Sequence, residues 1–526
     1  MREDVPEFAV VDLFAGPGGL AEGFSRVRGR DGEKVFENVM SVEMDPHAHK
    51  TLHMRAFFRA FGSNVPDLYY DMMAGQVSED ALLKAFPEEN RVASREALNL
   101  TLGEPAADAI VRTRLLETRD RFDDRTVLIG GPPCQAYSLI GRARNSGSES
   151  YIPADDQRHF LYRKFLDAVT DLRPAVFVME NVKGLLSSSI DGSFIARSII
   201  RDLQGAAGGY TLMPLVSGRA SSDGETDPRA FLIRSEEFGI PQKRHRVIIV
   251  GVRTALLEGK ARLDSADYQL QPTDDRVTVD QALSGLPRLS SRISKRNASD
   301  VTVDFIVGKT LIGLKTVCAS DEVVLDTIDK LEARRQLVGG TLQGQQENAC
   351  RYPAGCPQPL SSWLFDSRLR TAANSDPRGH MAEDIVRYVY ASVFAEAHGR
   401  SPRSKDFPPE LAPRHANWKT GAFNDRFRVQ VGGSASSTVT SHISKDGHYY
   451  IHPDPLQSRS LTVREAARLQ TFPDNYLFMG PRTSQYKQVG NAVPPMLAFQ
   501  IGGSVASILA SIFKVKQSQE VIYDQG

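Results

Sequence analysis

FAVVDLFAGPGGLAEGFSRV, residues 8–27, reads as a buried strand, a glycine turn and a helix in immediate succession. Residues 8 to 14 are an apolar run broken only by Asp12, AGPGGL supplies glycines at 16, 18 and 19, and AEGFSRV has helical potential. Glycines here let the backbone bend sharply and approach a ligand whose anionic or carboxylate group faces the helix N-terminus. The following VFENVMSVEMD reads as a second strand, with Glu43 where nucleoside-binding folds place a carboxylate to accept hydrogen bonds from ribose hydroxyls. These segments make the first half of a doubly wound α/β unit, and the glycines with Glu43 imply an adenosine cofactor. A tight strand-to-helix turn that binds nothing is the alternative reading of the glycines alone.

Outward from this unit, further strands are expected at TVLIGGPP (126–133), AVFVMENV (175–182) and HRVIIVGV (245–252), continuous apolar runs of the kind that buried parallel strands show. The expected fold class is therefore α/β, a doubly wound, mostly parallel, Rossmann-like sheet. Residues 51–125 break the rhythm with charged, helix-forming segments (SEDALLKAF, REALNL, IVRTRLLETRDRF) and read as a helical insertion in a first domain, residues 1–254. Between 255 and 457 Arg, Ser, Gly and Pro are frequent and periodicity is poor, apart from the helical MAEDIVRYVYASVFAEA (381–397), so a second, smaller domain is expected there. Regular patterning returns in 458–526, where PPMLAFQIGGSVASILASIF is expected to form a helix packed on the first domain.

A chain of 526 residues has room for two such domains. Hydrophobic and charged fractions of 41% and 24% with a mean hydropathy of −0.30 point to a soluble globular class, no stretch is read as a membrane span, and the N-terminus shows no leader-like apolar region. The expected location is the cytoplasm. Four cysteines (Cys134, Cys318, Cys350, Cys356) are too few for a disulfide framework, and the spacing of Cys350 and Cys356 suits ordinary cysteines better than a zinc site. A formal net charge of zero supplies no overall attraction to phosphate. Residues 414–428 nevertheless gather Arg414, His415, Lys419, Arg426 and Arg428 against the single acid Asp425, with Trp418, Phe423 and Phe427 interleaved. On its own that stretch reads as a solvated loop.

Cys134 follows Gly130-Gly131-Pro132-Pro133 at a strand end, where fixed φ angles hold the thiol on a rigid, accessible loop, a poor setting for a packing cysteine. Such a thiol serves as a nucleophile when positive charge lowers its pKa, and QKRHR offers Arg244 and Arg246 at another strand end. A third strand end carries Glu180. In an open α/β sheet ligands bind outside the carboxyl ends of the strands, which draws Gly16, Glu43, Cys134 and Glu180 toward one crevice.

These motifs together resemble the DNA cytosine-5 methyltransferase family, in its bacterial branch, and they occur in the family's order along most of the chain. DLFAGPGGL (12–20) resembles its cofactor loop, GGPPCQAYS (130–138) its nucleophile loop, ENV (180–182) its acid motif and QKRHR (242–246) its arginine motif. RSLTVREAARLQTFP (459–473) and QVGNAVPP (488–495) resemble the two motifs near its C-terminus.

The resemblance implies transfer of a methyl group from S-adenosyl-L-methionine, leaving S-adenosyl-L-homocysteine, to carbon 5 of a cytosine flipped out of duplex DNA. It assigns catalysis to Cys134, Glu180, Arg244 and Arg246, with Arg244 supporting the loop and thiolate and Arg246 holding the base. It assigns the cofactor pocket to Phe14, Ala15, Gly16, Gly18, Gly19, Leu20, Glu43, Met44, Pro133, Leu161 and Asn491. Gln135 and Ser138 in the nucleophile loop, and Arg426, Arg428 and Thr438 before the C-terminal motifs, are the implied DNA contacts. The family also carries an acid after its third strand that contacts adenine, and Asp71 and Glu104 are the candidates. The implied partner is double-stranded DNA, with a cognate restriction or defence protein, and the implied protein is a monomer without metal. The competing readings are a transfer-RNA methyltransferase, a binding protein that keeps the fold without catalysis, and an unrelated nucleotide-dependent oxidoreductase.

Overall fold

The structure is a computed structural model and describes residues 8–29, 31–133, 158–190, 193–217, 227–260, 263–274, 276–294, 301–337, 350–413, 418 and 426–513. Its centre is one eight-stranded sheet of β1 (Phe8–Leu13), β2 (Phe36–Glu43), β3 (Ala97–Asn99), β4 (Thr126–Gly130), β5 (Val176–Val182), β6 (Tyr210–Met213), β7 (Leu232–Arg234) and β8 (His245–Arg253). The order is β3-β2-β1-β4-β5-β8, with β6 and β7 end to end on the outer edge of β8. β1 to β5 are mutually parallel and β8 is antiparallel to β5. β1 and β4 are buried along their whole length, as covering by helices on both faces requires.

One face is covered by α6 (Pro105–Phe122), α7 (Arg158–Leu172) and α8 (Ile195–Gly205), through Val111, Leu115, Phe165, Val169, Ile199 and Leu203. The other is covered by α1 (Gly19–Ser25) and the C-terminal helix α14 (Pro495–Phe513). α1 and α14 meet at backbone distance: a Cβ on Gly23 would stand 2.4 Å from the Phe499 nitrogen. This corrects the expectation that no stretch reaches membrane-span length. Within the run Arg482–Phe513 an 18-residue window with a mean hydropathy of 1.8 is long and apolar enough to do so, but α14 places Met496, Phe499, Val505 and Ile508 in the sheet core beside Phe8 and Phe24.

The expected helical insertion at 51–125 is also corrected. It conceals the third strand, β3, paired with β2, and α6 is the crossover from β3 to β4. Three residues, ALN, at a sheet edge are too short to show an apolar run. The added material lies earlier, in α3 (Asp67–Met73), α4 (Glu79–Ala85) and α5 (Pro87–Glu96), which follow α2 (Pro46–Ala60). It packs on residues from a distant part of the chain: Tyr69, Tyr70 and Met73 share a core with Cys350, Leu369, Ala372 and Ala373.

A separate core unites α9 (Val303–Val317), α10 (Glu322–Leu337) and α11 (Ala382–His398) with Phe427, Val429 and Ile451. Near the C-terminus, α12 (Val463–Leu469) opens with a capping box in which Thr462 and Glu465 satisfy each other's backbone N–H groups, and α13 (Arg482–Asn491) leads into α14.

Candidate active site

Because the strand order reverses at β1 and β4, a crevice opens at their carboxyl ends. β1 hands over to a loop in which Phe14 (φ 59°), Gly16 (φ 59°) and Gly18 (φ 94°) are all left-handed. A Cβ on Gly18 would lie 2.8 Å from Leu52 Cδ1, and one on Gly19 would lie 2.3 Å from the Val493 carbonyl oxygen. Over Gly16 a Cβ meets nothing within 4 Å. The loop is therefore packed tight below and open above, which is the form of a cradle.

Glu43 closes β2 beside this loop. Its Oε2 accepts the Gly16 N–H and its Oε1 accepts the Asp45 N–H, each at 2.8 Å. Burial raises the pKa of this carboxyl, and the two backbone donors oppose that rise. Ala15 is fixed by donation of its N–H to the Val42 carbonyl at 3.0 Å, Phe14 packs on the α6–α7 side of the sheet, and Leu20 is buried. Met44 is 60% exposed beside the loop, while Pro133 and Leu161 are half-buried.

Of the two acids expected after the third strand, Asp71 precedes β3 and Glu104 follows it by five residues. Asp71 sits on α3 and pairs with Arg370 at 2.7 Å, and Glu104 precedes α6, beyond the strand end. The residue in register with Glu43 is Asn99, whose Nδ2 donates to the carbonyls of Glu43 (2.8 Å) and Met44 (3.1 Å). Its short strand hid it in the sequence.

At β5 and β8 the antiparallel pairing brings the end of one strand to the start of the other, Val182 opposite Arg246. The Arg246 Nε stands 2.8 Å from Glu180 Oε1, both side chains being 12% exposed. Glu180 also overhangs Gly131, where a Cβ would be 3.0 Å from its Oε2. Asn181 Nδ2 donates to the Pro132 carbonyl at 3.3 Å. The chain leading to Cys134 is thus anchored against Glu180 and Asn181, while Cys134, Gln135 and Ser138 themselves lie outside the described residues.

Arg244, expected as a catalytic residue that supports the loop and thiolate, is 1% exposed and donates to the carbonyls of Val439 (2.8 Å), Gly490 (3.2 Å) and Asn491 (3.4 Å). Burial and the neighbouring Arg246 charge pull its pKa well below the usual guanidinium range. It binds the arginine motif to the C-terminal motif rather than facing a substrate. Gln242 works in parallel, donating to Gln470 Oε1 at 3.0 Å and accepting the Val439 N–H at 2.8 Å, while Gln470 donates to the Val489 carbonyl at 2.6 Å. Asn491, whose side chain is exposed, directly precedes Ala492 and Val493, which stand against Gly19.

Two further supports lie in the stretch between the two C-terminal motifs, 474–487, which carries no motif of its own. Tyr476 donates its hydroxyl to the Pro17 carbonyl, and its ring lies 4.9 Å from the Arg55 guanidinium, itself paired with Glu22 of α1 at 2.6 Å. Asn475 accepts from Arg55 at 3.1 Å. Together they brace the glycine loop from the C-terminal side.

Of the expected DNA contacts, Thr438 donates to the Lys243 carbonyl at 2.6 Å, which joins it to the arginine motif. Arg426 lies 3.6 Å from Asp446, and Arg428 pairs through its backbone with His448 and Ile451. Phe427 is buried between the two arginines, which are themselves half-buried. Arg414, His415, Lys419, Phe423 and Asp425 lie outside the described residues. Cys350 and Cys356 are buried, and among the described residues no group of three or more His, Cys, Asp or Glu side chains is arranged to hold a metal.

Comparison with known proteins adds the following. The model of the family described as C-5 cytosine-specific DNA methylase matches residues 110–305 and 371–507. The Type II methyltransferase M.Bpa9945I of Bacillus paralicheniformis is 31% identical over 518 residues, covering 95% of this chain and 99% of that protein. The DNA (cytosine-5-)-methyltransferase M.ApeKI of Aeropyrum pernix is 25% identical over 419 residues, covering 74% and 82%. A solved structure described as a DNA modification methyltransferase encoded within an E. coli prophage superposes with a TM-score of 0.51 at 19% identity, covering 95% of this chain and 99% of that one, and bears on the fold alone.

Proposed function

The chain belongs to the C-5 cytosine-specific DNA methylase family, whose members are DNA (cytosine-5-)-methyltransferases, and from that premise we propose that it methylates carbon 5 of a flipped-out cytosine in a specific duplex DNA sequence through a covalent bond to Cys134. The observation that carries this reading is the meeting of the Glu180–Arg246 pair, the anchored strand end before Cys134 and the open glycine cradle at one end of the central strands.

The cofactor of this reading is S-adenosyl-L-methionine, which supplies an electrophilic methyl group when bound. The residues present fit it. The loop from Ala15 to Gly19 would receive the methionine portion, the Phe14 ring the adenine face and Glu43 the ribose hydroxyls. Asn99, its amide nitrogen committed to two carbonyls, keeps Oδ1 to accept from the adenine amino group.

Carbon 5 of cytosine is a weak nucleophile, and the chain's own residues change that. The Cys134 thiolate forms a bond to carbon 6, and the displaced π electrons move to carbon 5 while ring nitrogen 3 takes a proton hydrogen-bonded to Glu180. Arg246 holds the exocyclic oxygen and keeps the Glu180 carboxylate aimed. Once carbon 5 carries the methyl group its proton leaves to a base, the electrons of that C–H bond restore the ring double bond, Cys134 departs as thiolate, and the nitrogen 3 proton passes back to Glu180. Arg244 acts in this scheme as a positioning residue.

In the same reading residues 1–254 are the catalytic unit, 255–457 the recognition unit and 458–526 the C-terminal motifs that return to the sheet. The protein acts in the cytoplasm as a monomer on double-stranded DNA, with a cognate restriction or defence partner. Expression in a host without cytosine methylation, followed by bisulfite sequencing, is expected to reveal 5-methylcytosine in one sequence context. Cys134→Ala is expected to abolish that signal while calorimetry still detects S-adenosyl-L-methionine binding; persistent methylation in the variant sinks the mechanism, and a transfer-RNA product in place of DNA sinks the substrate.

A further inference from the structure

Behind the recognition residues runs a line of buried polar groups that the scheme above leaves without a task. The Ser460 N–H donates to His380 Nε2 at 3.3 Å. His380 Nδ1 faces the Tyr388 hydroxyl at 3.3 Å, and that hydroxyl faces His448 Nδ1 at 2.7 Å. His448 Nε2 stands 3.8 Å from Asp446 Oδ2, which lies 3.6 Å from the Arg426 guanidinium. His380, Tyr388 and His448 are 5%, 0% and 7% exposed, whereas the Arg426 and Asp446 side chains are 37% and 41% exposed.

The direction of each proton follows from one end. A backbone N–H can only donate, so His380 Nε2 accepts and its ring proton is on Nδ1. That proton goes to the Tyr388 oxygen, so the hydroxyl donates onward to His448 Nδ1 and leaves the His448 proton on Nε2, the nitrogen facing Asp446. Burial pushes His380 down to about 3 and lowers His448, which keeps both rings neutral, as this arrangement requires. The neutral ring's Nε2, at 3.8 Å, is beyond hydrogen-bond reach of Asp446; the buried ring instead holds His448 in place, and it is the His448 backbone N–H, accepted by Asp446 Oδ1 at 3.0 Å, that fixes the carboxylate. A surface carboxylate is thereby oriented from the core, and it lies beside Arg426.

We propose that this relay makes Arg426 a base-reading arginine: His380, Tyr388 and His448 are positioning residues that fix Asp446, and Asp446 sets the guanidinium for bidentate hydrogen bonding to a guanine of the recognised sequence. The inference rests on the DNA methyltransferase reading. A phosphate contact needs charge and tolerates a mobile side chain, whereas reading the O6 and N7 edge of guanine needs a fixed plane. A tautomer-locked support suits the second task.

The experiment first maps the methylated sequence of the wild type by bisulfite sequencing, then measures methylation of duplexes in which each base pair of that site is replaced in turn. In Tyr388→Phe, Asp446→Asn and Arg426→Lys, discrimination at one and the same guanine-bearing pair is expected to fall about tenfold, with the KM for S-adenosyl-L-methionine within about twofold of wild type. Unchanged discrimination in Arg426→Lys, which keeps a charge for phosphate and loses the bidentate fork, overturns the proposal. So does an equal loss on every duplex in Tyr388→Phe. Should that variant fail to fold, Asp446→Asn at the surface gives the same answer. A wild type that methylates no DNA overturns the functional reading together with this inference, whereas a wild type with intact selectivity whose variants keep it overturns this inference alone.

Discussion

Arg459 and Glu465 form a fully buried pair, two guanidinium nitrogens each 2.6 Å from a carboxylate oxygen. Burial works to raise the Glu465 carboxyl, but the Arg459 charge and its hydrogen bonds outweigh that and bring it from 4.5 to about 2. A group whose pKa is depressed on folding adds stability above its unfolded value and loses it as the pH falls through the folded one. The contribution should therefore be complete above about pH 4.5 and fade toward pH 2, with a size on the order of 3 kcal/mol. Urea unfolding between pH 7 and pH 3 checks this, and Glu465→Gln is expected to flatten part of the pH dependence. A variant as acid-sensitive as the wild type would show that the pair is not a source of acid lability. Arg244 and Arg246 illustrate what residue type alone leaves open. They stand two apart in one motif, yet one meets Glu180 and the other is spent on carbonyls of the C-terminal motif.

The element that carries the site is the glycine turn with α1. Its helix is short, and it holds its place by backbone contact with the C-terminal segment rather than by propensity. Gly23→Ala would press a Cβ to 2.4 Å from the Phe499 nitrogen and should cost about 1–3 kcal/mol, read by thermal or urea denaturation. Gly19→Ala meets the Val493 carbonyl at 2.3 Å and should also weaken S-adenosyl-L-methionine binding, since the loop it anchors would have to move. Binding at wild-type affinity would argue that the loop is not the cradle. At this scale the long apolar strands were legible because burial on both faces writes itself into sequence as continuous runs. β3 was not, since its three residues depend on the neighbouring β2 for their conformation, and with it went Asn99.

Across the whole molecule, Arg244, Gln242 and Gln470 tie the arginine motif, the segment around Val439 and the C-terminal motif into one buried junction. Arg244→Met would relieve a desolvated charge but strip donors from the carbonyls of Val439, Gly490 and Asn491, for a net loss of about 2 kcal/mol. Methylation of DNA is expected to suffer more than cofactor affinity, because Thr438 is tied through its hydroxyl to the Lys243 carbonyl next to the lost anchor. Single-turnover assays alongside cofactor titration separate the two, and equal losses would count against the junction as a positioning device. The amino-acid sequence by itself determined the α/β class, the strand-turn-helix cradle with Glu43 and the set of motifs that marks the family, because apolar runs, glycine turns and motif spacing are local properties of a chain. Only the tertiary structure decided which arginine meets Glu180, that the third strand ends on Asn99, and that the added helices of 61–96 pack on residues 350–373. Those outcomes depend on strand register and on burial between segments hundreds of residues apart, and neither leaves a periodic trace in the sequence.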